Sequence, residues 1–159
     1  MNRCHHPIGL LVTLLLPALF AAPAHAAEQP GQTPDPVAFE ARLASLTEVA
    51  GWEGVPGPQP GQTIWIAPEP SLTNGDVARA WPEEMGGEVC VGLLLTEEGA
   101  LKLARLTTDH VGQPMALIVD GRVTAAPRIA APITGGRAIL QGNFTAEEAR
   151  AIAGGIVGG

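Results

Sequence analysis

The feature that most constrains this chain is residues 92–142, where apolar runs, helix caps and tight turns follow one another closely. One apolar run ends directly before Thr96, a residue type that caps helices, and two glutamates follow in the first turn, where negative charge is favoured. A second apolar run, at 114–119, ends at Asp120-Gly121, a strong signal for a two-residue hairpin. The pattern predicts a strand, a helix, a hairpin and a further strand, in that order.

The flanking sequence adds further elements of both kinds. It predicts a strand at 63–67, a short helix at 77–81 closed by Pro82, a strand at 88–95, a strand at 137–141, and a last helix opened by a capping box at 145–148. The strand at 88–95 is apolar on both faces, which is typical of a central strand. The order predicts an α+β fold with a small mixed or mostly antiparallel sheet and two to three helices packed on one face.

The first 26 residues are predicted to be a signal peptide. They combine a positive start at Arg3, an apolar core, and the small residues of Ala24-His25-Ala26. Cleavage is predicted after Ala26, so the mature protein is expected to be exported and periplasmic. No later segment is long and apolar enough to span a membrane, so no stable membrane insertion is expected after cleavage.

The mature chain divides into four segments. The polar residues at 27–35 predict a disordered start, and apolar residues at near-helical spacing predict a helix at 36–50. Prolines and glycines predict a linker at 51–62. The folded domain is then expected at 63–157.

Charge and cysteine content narrow the possible partners and cross-links. The formal net charge of −7, without a basic patch, argues against nucleic acid or an anionic membrane surface as a partner. Cys90 is the only cysteine left after cleavage, because Cys4 lies in the signal peptide. An internal disulfide is therefore excluded, and Cys90 is predicted to be a small core residue of an apolar strand.

The sequence offers few residues for catalysis or for holding a metal or cofactor. His110 is the only histidine after the signal peptide, and it is predicted to lie at a helix end. Asp120 belongs to the hairpin turn, and the paired glutamates at 97–98 and 147–148 fall in first helical turns. No catalytic residue, metal ligand or cofactor is therefore predicted, and the chain is not expected to be an enzyme.

Short segments in a fixed order give the chain a resemblance to a known family. From Ile64 to Ala153 it resembles the head subdomain in the first periplasmic domain of SecD, a membrane subunit of protein export. The matching segments are LTEEGA at 95–100, PMA at 114–116, VDG at 119–121, AP at 126–127, ITGGRA at 133–138 and LQG at 140–142. Within these segments the resemblance implies structural roles for Asp120, Gly121, Pro127, Gly136 and Gly142.

The resemblance also implies a function and its limits. In that family the head is thought to contact the emerging preprotein, which implies protein binding and no catalysis. The chain lacks the membrane helices that couple the proton gradient to export in SecD. It also lacks the ferredoxin-like base that frames the head there, unless the helix at 36–50 replaces part of it. A freestanding exported head is therefore expected, with polypeptides, envelope proteins or the export machinery as partners.

Two regions are candidates for partner contact. Trp81 ends a predicted helix and is a candidate for an exposed apolar patch together with Trp52. Arg128, Ile129 and Ile133 belong to an irregular apolar return between the second and third strands of residues 92–142. This return is a candidate for a groove wall, or for an open strand edge that accepts a peptide strand.

Two other hypotheses remain. A small envelope enzyme or ligand-binding protein would need a polar site assembled from Asp109, His110, Asp120 and Arg137, which only the fold could bring together. A structural or inhibitory adaptor would dock on a membrane export complex in place of the missing SecD parts.

Overall fold

The structure is a computed structural model that describes residues 35–157. The predicted signal peptide and the predicted disordered start up to residue 34 lie outside the described residues, as do Gly158 and Gly159. The described strands are β1 (Phe39–Ser45), β2 (Glu53–Pro56), β3 (Thr63–Ile66), β4 (Leu72–Thr73), β5 (Val77–Met85), β6 (Glu88–Leu95), β7 (Met115–Val119), β8 (Arg122–Ala125) and β9 (Arg137–Leu140). The helices are α1 (Glu97–Asp109) and α2 (Ala146–Val157), and a 3₁₀ turn covers Asn74–Asp76.

The strands form two antiparallel sheets. The larger sheet has the order β2-β3-β1-β7-β8, and β4 pairs with β1 beside β3. The smaller sheet has the order β5-β6-β9. These sheets and the two helices make an α+β fold, so the predicted fold class is confirmed. β6 is the central strand of its sheet, as its two apolar faces predict.

The main core joins both sheets and both helices. Its buried side chains from the larger sheet are Phe39, Ala41, Leu72, Met115, Leu117 and Val119. Those from the smaller sheet are Val77, Val91, Leu93, Leu95 and Leu140, and those from the helices are Leu103, Ala149, Ala153 and Ile156. A second cluster of Ala44, Ile64, Ile66, Ala116 and Ile118 fills the other face of the larger sheet. Because β7 is buried on both faces, it is apolar throughout.

The helices begin where the sequence predicts. The Thr96 hydroxyl accepts a hydrogen bond of 3.0 Å from the Gly99 N–H at the start of α1. At the start of α2, the Thr145 N–H donates to the Glu148 carboxylate at 2.8 Å, and the Glu148 N–H donates to the Thr145 hydroxyl at 3.2 Å. This is the reciprocal capping box that the sequence predicts. α2 packs on β5 and β6.

The helix predicted at 36–50 is wrong, because its centre is strand β1. Phe39 and Leu43 are four residues apart, which fits one face of a helix and one face of a strand equally well. β1 pairs with β7 on one side and with β3 and β4 on the other. Hydrogen bonds to these strands, with Phe39 and Ala44 buried on opposite faces, outweigh the weak local preference for helix.

The predicted linker at 51–62 contains strand β2, which pairs with β3 along Glu53–Pro56. The prolines and glycines at 57–61 form the turn between these two strands and do not separate two units. Gly61 has a φ of 75°, which a residue with a side chain rarely adopts. The folded unit therefore begins before residue 63, because β1 and β2 belong to the same sheet as β3.

The helix predicted at 77–81 is also wrong, because these residues begin strand β5. Before this strand the Thr73 N–H donates to the Asp76 carboxylate at 2.9 Å, as in a helix capping box, but this contact opens only the 3₁₀ turn. Pro82 lies inside β5, which is an edge strand. Proline is tolerated at an edge, where its missing N–H leaves no bond unmade.

Gly154 and Gly155 lie within α2. Gly155 is buried, and a Cβ placed on it would lie 2.4 Å from the Val37 side chain. Glycine therefore allows α2 to approach the chain that leads into β1.

Candidate functional site

A cleft of about 570 Å³ opens between the two sheets beside β9. Its floor is made of core side chains from both sheets, among them Phe39, Leu93 and Leu140. Pro127 and Ile133, from the return between β8 and β9, contribute to its wall. An apolar cleft of this size is typical of ligand-binding sites in proteins.

Strand β9 runs along this cleft. Ala138 and Leu140 contact it from one face of the strand, and Arg137 and Ile139 contact it from the other. Successive side chains of a strand point to opposite faces. A cleft that touches both sets of side chains must therefore follow the edge of β9 as well as its buried face.

That edge of β9 carries main-chain groups that β6 does not use. The Leu95 N–H donates to the Gly136 carbonyl at 2.8 Å, which sets the alternation of hydrogen bonds between β6 and β9. Ala138 and Leu140, at even steps from Gly136, therefore bond to β6. The N–H and C=O of Ile139 point the opposite way, toward the cleft. All strand pairs of β9 among residues 35–157 are with β6, so this edge is free in the described part of the chain.

Charged and aromatic side chains lie where the outer face of the smaller sheet meets the cleft. Arg137 lies 3.6 Å from the Glu83 carboxylate, with 59% of the Arg137 side chain exposed. The Arg137 guanidinium also lies 5.3 Å from the centre of the Trp81 ring, within cation–π distance. Trp81 crosses β6 at Gly92, where a Cβ would lie 2.5 Å from the ring. Glycine at 92 therefore lets Trp81 lie flat beside Arg137.

The structure places the predicted partner-contact residues at different sites. Ile133 lines the cleft and is half-buried. Trp81 is half-buried and lies on the outer face of the smaller sheet. Arg128 is exposed and donates to the Gly112 carbonyl. Ile129 is only 5% exposed and packs in the main core, so it offers little surface for the partner contact that was predicted for it.

Sequence reasoning missed Ile139, Glu83 and the role of Arg137 in the cleft. The run Arg137-Ala138-Ile139-Leu140 between two glycines predicts a strand, but nothing in it predicts an edge position. The sequence predicts no element at Glu83, because the predicted helix at 77–81 ends at Pro82. Residues 77–85 do not alternate between apolar and polar residues, so no periodic signal in the sequence indicates β5.

Asp120 and the glycines of the resembling segments lie in turns or at close contacts. Asp120 has a φ of 48° and Gly121 a φ of 75°, as a two-residue hairpin requires. Gly136 has a φ of 65°, and Gly142 lies against the Phe144 ring, 2.3 Å from where a Cβ would be. Pro127 lies in the cleft wall.

The alternative polar site is not assembled. His110 is the C-terminal cap of α1, and its ring lies 2.9 Å from the Leu106 carbonyl. Asp120 lies past the far end of β7, where its carboxylate accepts a hydrogen bond of 2.9 Å from the Ala38 N–H. Arg137 begins β9 and faces Glu83. Within residues 35–157, no group of three or more His, Cys, Asp or Glu residues is placed to hold a metal ion.

Cys90 is a buried thiol of the smaller sheet. It is 3% exposed, as predicted for a core residue, and its Sγ lies 3.4 Å from the Glu83 carbonyl. Burial, with smaller contributions from the charges of Glu83 and Glu88, raises the pKa of the Cys90 thiol. The thiol therefore stays protonated at neutral pH and is a poor nucleophile.

No helix within residues 35–157 is long and apolar enough to cross a membrane.

Comparison with known proteins gives one consistent family. The family model described as "SecDF, P1 head subdomain" matches residues 50–159. The protein translocase subunit SecD of Acidaminococcus fermentans is 43% identical over 70 residues, which are 44% of this chain and 17% of the relative. The protein translocase subunit SecDF of Thermus thermophilus is 41% identical over 85 residues, which are 53% of this chain and 12% of the relative. The chain thus spans less than a fifth of these relatives.

Two solved structures of SecDF are also similar to this chain. The structure described as "Structure and function of a membrane component SecDF that enhances protein export" superposes with a TM-score of 0.64 and 28% identity, over 79% of this chain and 64% of that chain. The crystal structure of SecDF in its super-membrane-facing form also gives a TM-score of 0.64, with 27% identity, over 79% of this chain and 19% of that chain.

Proposed function

This chain belongs to the SecDF P1 head subdomain family, part of the protein-export machinery, and from that membership we propose that it binds unfolded segments of exported polypeptides in the cleft beside β9. The proposed activity is binding without catalysis. The proposed place of action is the periplasm, reached through the signal peptide predicted at 1–26. We propose further that the head acts there as a freestanding protein.

The observation that carries this proposal is the combination of an apolar cleft with a free strand edge. An unfolded polypeptide exposes apolar side chains and unpaired main-chain groups together. The cleft offers an apolar surface for the side chains, through Pro127, Ile133 and Ala138, and the edge of β9 offers hydrogen-bond partners for the main chain. The solved relative is described as a component that enhances protein export, which supports a polypeptide as the occupant.

The test compares two apolar residues changed to the same charged residue. Ile133→Glu places a carboxylate in the cleft wall, whereas Leu101→Glu places one on α1, where Leu101 is 56% exposed and outside the cleft. The purified protein is titrated against a fluorescently labelled, reduced and alkylated polypeptide that cannot fold. We expect Ile133→Glu to weaken binding by about tenfold or more and Leu101→Glu to leave it unchanged, because a charge in an apolar cleft opposes burial of apolar side chains.

Because Ile133 is half-buried, thermal unfolding of each variant is measured first. Pro127→Glu, at an exposed position of the same wall, replaces Ile133→Glu if that variant does not fold. Equal effects of the cleft and α1 variants, or no binding of the polypeptide by the unaltered protein, would contradict the proposal.

Crosslinking of the tagged protein in cells separates this function from that of an adaptor. We expect a broad set of exported proteins, each in a small amount, since main-chain and apolar contacts select weakly among sequences. Capture of one stoichiometric component of the export complex would instead identify an adaptor that docks on that complex.

A further inference from the structure

The free edge of β9 offers hydrogen bonds in a fixed pattern. Between Gly136 and Gln141, only Arg137, Ile139 and Gln141 turn their N–H and C=O groups away from β6, because hydrogen bonding alternates along an antiparallel pair. Ile139 is the middle residue of the three. The N–H and C=O of Ile139 can form hydrogen bonds with the C=O and N–H of one residue in a second extended chain.

We infer that the cleft holds its polypeptide as one added antiparallel strand on β9, with Ile139 as the central pairing residue. This inference rests on the proposed function and specifies how the polypeptide is recognised. β9 is four residues long, so the added strand pairs over a short segment. The contacts that hold it are made mainly by its main chain, which every sequence possesses.

The position of the added strand determines where its side chains lie. Residues opposite Ala138 and Leu140 point to the buried face of β9 and enter the apolar cleft. A residue opposite Ile139 points to the outer face. The preferred occupant is therefore an extended segment with apolar side chains at every second position.

Arg137 adds a charge preference to this pattern. Its side chain is 59% exposed, and the 3.6 Å separation from Glu83 is longer than a hydrogen bond, so the guanidinium has donors left for a second carboxylate. A peptide residue opposite Arg137 lies on the same outer face. Aspartate or glutamate at that peptide position forms an ion pair with Arg137, and lysine or arginine there is repelled by it.

One pair of variants tests the pairing of Ile139. Ile139→Pro removes the N–H that points to the cleft and none of the hydrogen bonds to β6, while Ile139→Ala removes the same side chain and keeps the N–H. Both are titrated with a fluorescent peptide of alternating valine and serine that carries one glutamate. We expect Ile139→Pro to bind roughly tenfold more weakly than Ile139→Ala, because the two variants lack the same side chain and only the proline variant lacks the N–H.

A scan of the peptide on the unaltered protein tests the same contact without changing the fold. Single N-methyl groups are placed at each successive residue of the valine–serine peptide. We expect every second N-methyl group to weaken binding and the intervening ones to have little effect, because alternate N–H groups of an added strand face β9. Arg137→Glu is expected to lower affinity for the glutamate peptide and to raise it for the same peptide with lysine.

The outcomes separate the binding mode from the proposed function. An N-methyl scan without alternation, or equal affinities of Ile139→Pro and Ile139→Ala, overturns strand addition. If Ile133→Glu still weakens binding in that case, the cleft binds polypeptide by its apolar surface alone and the proposed function stands. No binding of either the unfolded polypeptide or the peptide overturns both.

Discussion

At the scale of single residues, Asp120 shows how a turn can resemble a reactive site. The sequence leaves a catalytic or ligand role for Asp120 open, together with His110. In the structure Asp120 has a φ of 48°, its N–H donates to the Ala38 carbonyl at 2.8 Å, and its carboxylate accepts from the Ala38 N–H at 2.9 Å. Both hydrogen bonds join the β7–β8 hairpin to the chain entering β1. The residue therefore has a complete structural role.

Substitutions of Asp120 can distinguish this role from a reactive one. Asp120→Ala should lower the free energy of unfolding by about 1–2 kcal/mol, since it removes one hydrogen bond and places a side chain without a polar group at positive φ. Asp120→Asn keeps an oxygen acceptor and tolerates positive φ, so it should cost roughly half as much or less. Urea unfolding measures both. Equal losses of stability for the two variants would mean that the negative charge itself is required.

At the scale of elements, the start of α2 depends on one threonine–glutamate pair. The Glu148 carboxylate accepts hydrogen bonds from both the N–H and the hydroxyl of Thr145, at 2.8 and 2.9 Å. The backbone bond, and after it the side-chain bond, lowers the pKa of Glu148 below its ordinary value of 4.5. α2 covers β5 and β6, so this cap secures the helix that supports the smaller sheet.

The cap predicts a pH dependence of stability. Because the pKa of Glu148 is lower in the folded state, its contribution is present above the unfolded pKa near 4.5 and is lost as the pH falls through the folded value. Glu148→Ala should therefore lower Tm at pH 7, and the difference from the unaltered protein should disappear in acid. Glu147→Ala, in the same helical turn, is the matched control, because both bonds from Thr145 go to Glu148. A difference in Tm that persists unchanged below pH 3 would show that the carboxylate charge contributes nothing.

At the scale of the whole molecule, β1 and the chain that leads into it hold distant parts together. β1 lies between β7 and the pair β3 and β4, although it precedes the residues that the family model matches. The Val37 N–H donates to the Gly155 carbonyl at 3.1 Å. The Asn74 amide donates to the carbonyls of Val37 and Ile156 at 2.7 and 3.0 Å. The two ends of the described chain are thus joined directly and through Asn74.

A shortened chain tests the importance of β1. We expect residues 51–157 not to fold cooperatively and residues 35–157 to do so. Losing β1 removes the buried side chains of Phe39, Ala41 and Ala44 and leaves β7 and β3 without a shared neighbour. Deleting one large buried side chain alone costs about 3–5 kcal/mol, and small domains are stable by only about 5–15 kcal/mol. Circular dichroism during thermal unfolding is the measurement, and a sharp transition for residues 51–157 would contradict the expectation.

Features that depend on neighbouring residues can be predicted from the sequence alone. The caps at Thr96 and Thr145, the hairpin at Asp120-Gly121 and the central strand β6 all follow from residues within a few positions of each other. Their hydrogen bonds close within one turn, or their pattern repeats within one strand. Local chemistry was therefore enough to predict α1, the β7–β8 hairpin and α2.

β1, β5, the separation into two sheets and the cleft depend instead on contacts between distant residues. Phe39 and Leu43 fit a helix or a strand equally well until β7 and β3 supply the hydrogen bonds. Ile139 is equally ambiguous, because its N–H is free only if β9 is the last strand of its sheet. Whether a strand lies at the edge or the centre of a sheet depends on pairing between residues far apart in the chain, and no local pattern predicts it. The candidate site is made of such positions, so its wall at Ile133 could be predicted from the sequence and its free edge could not.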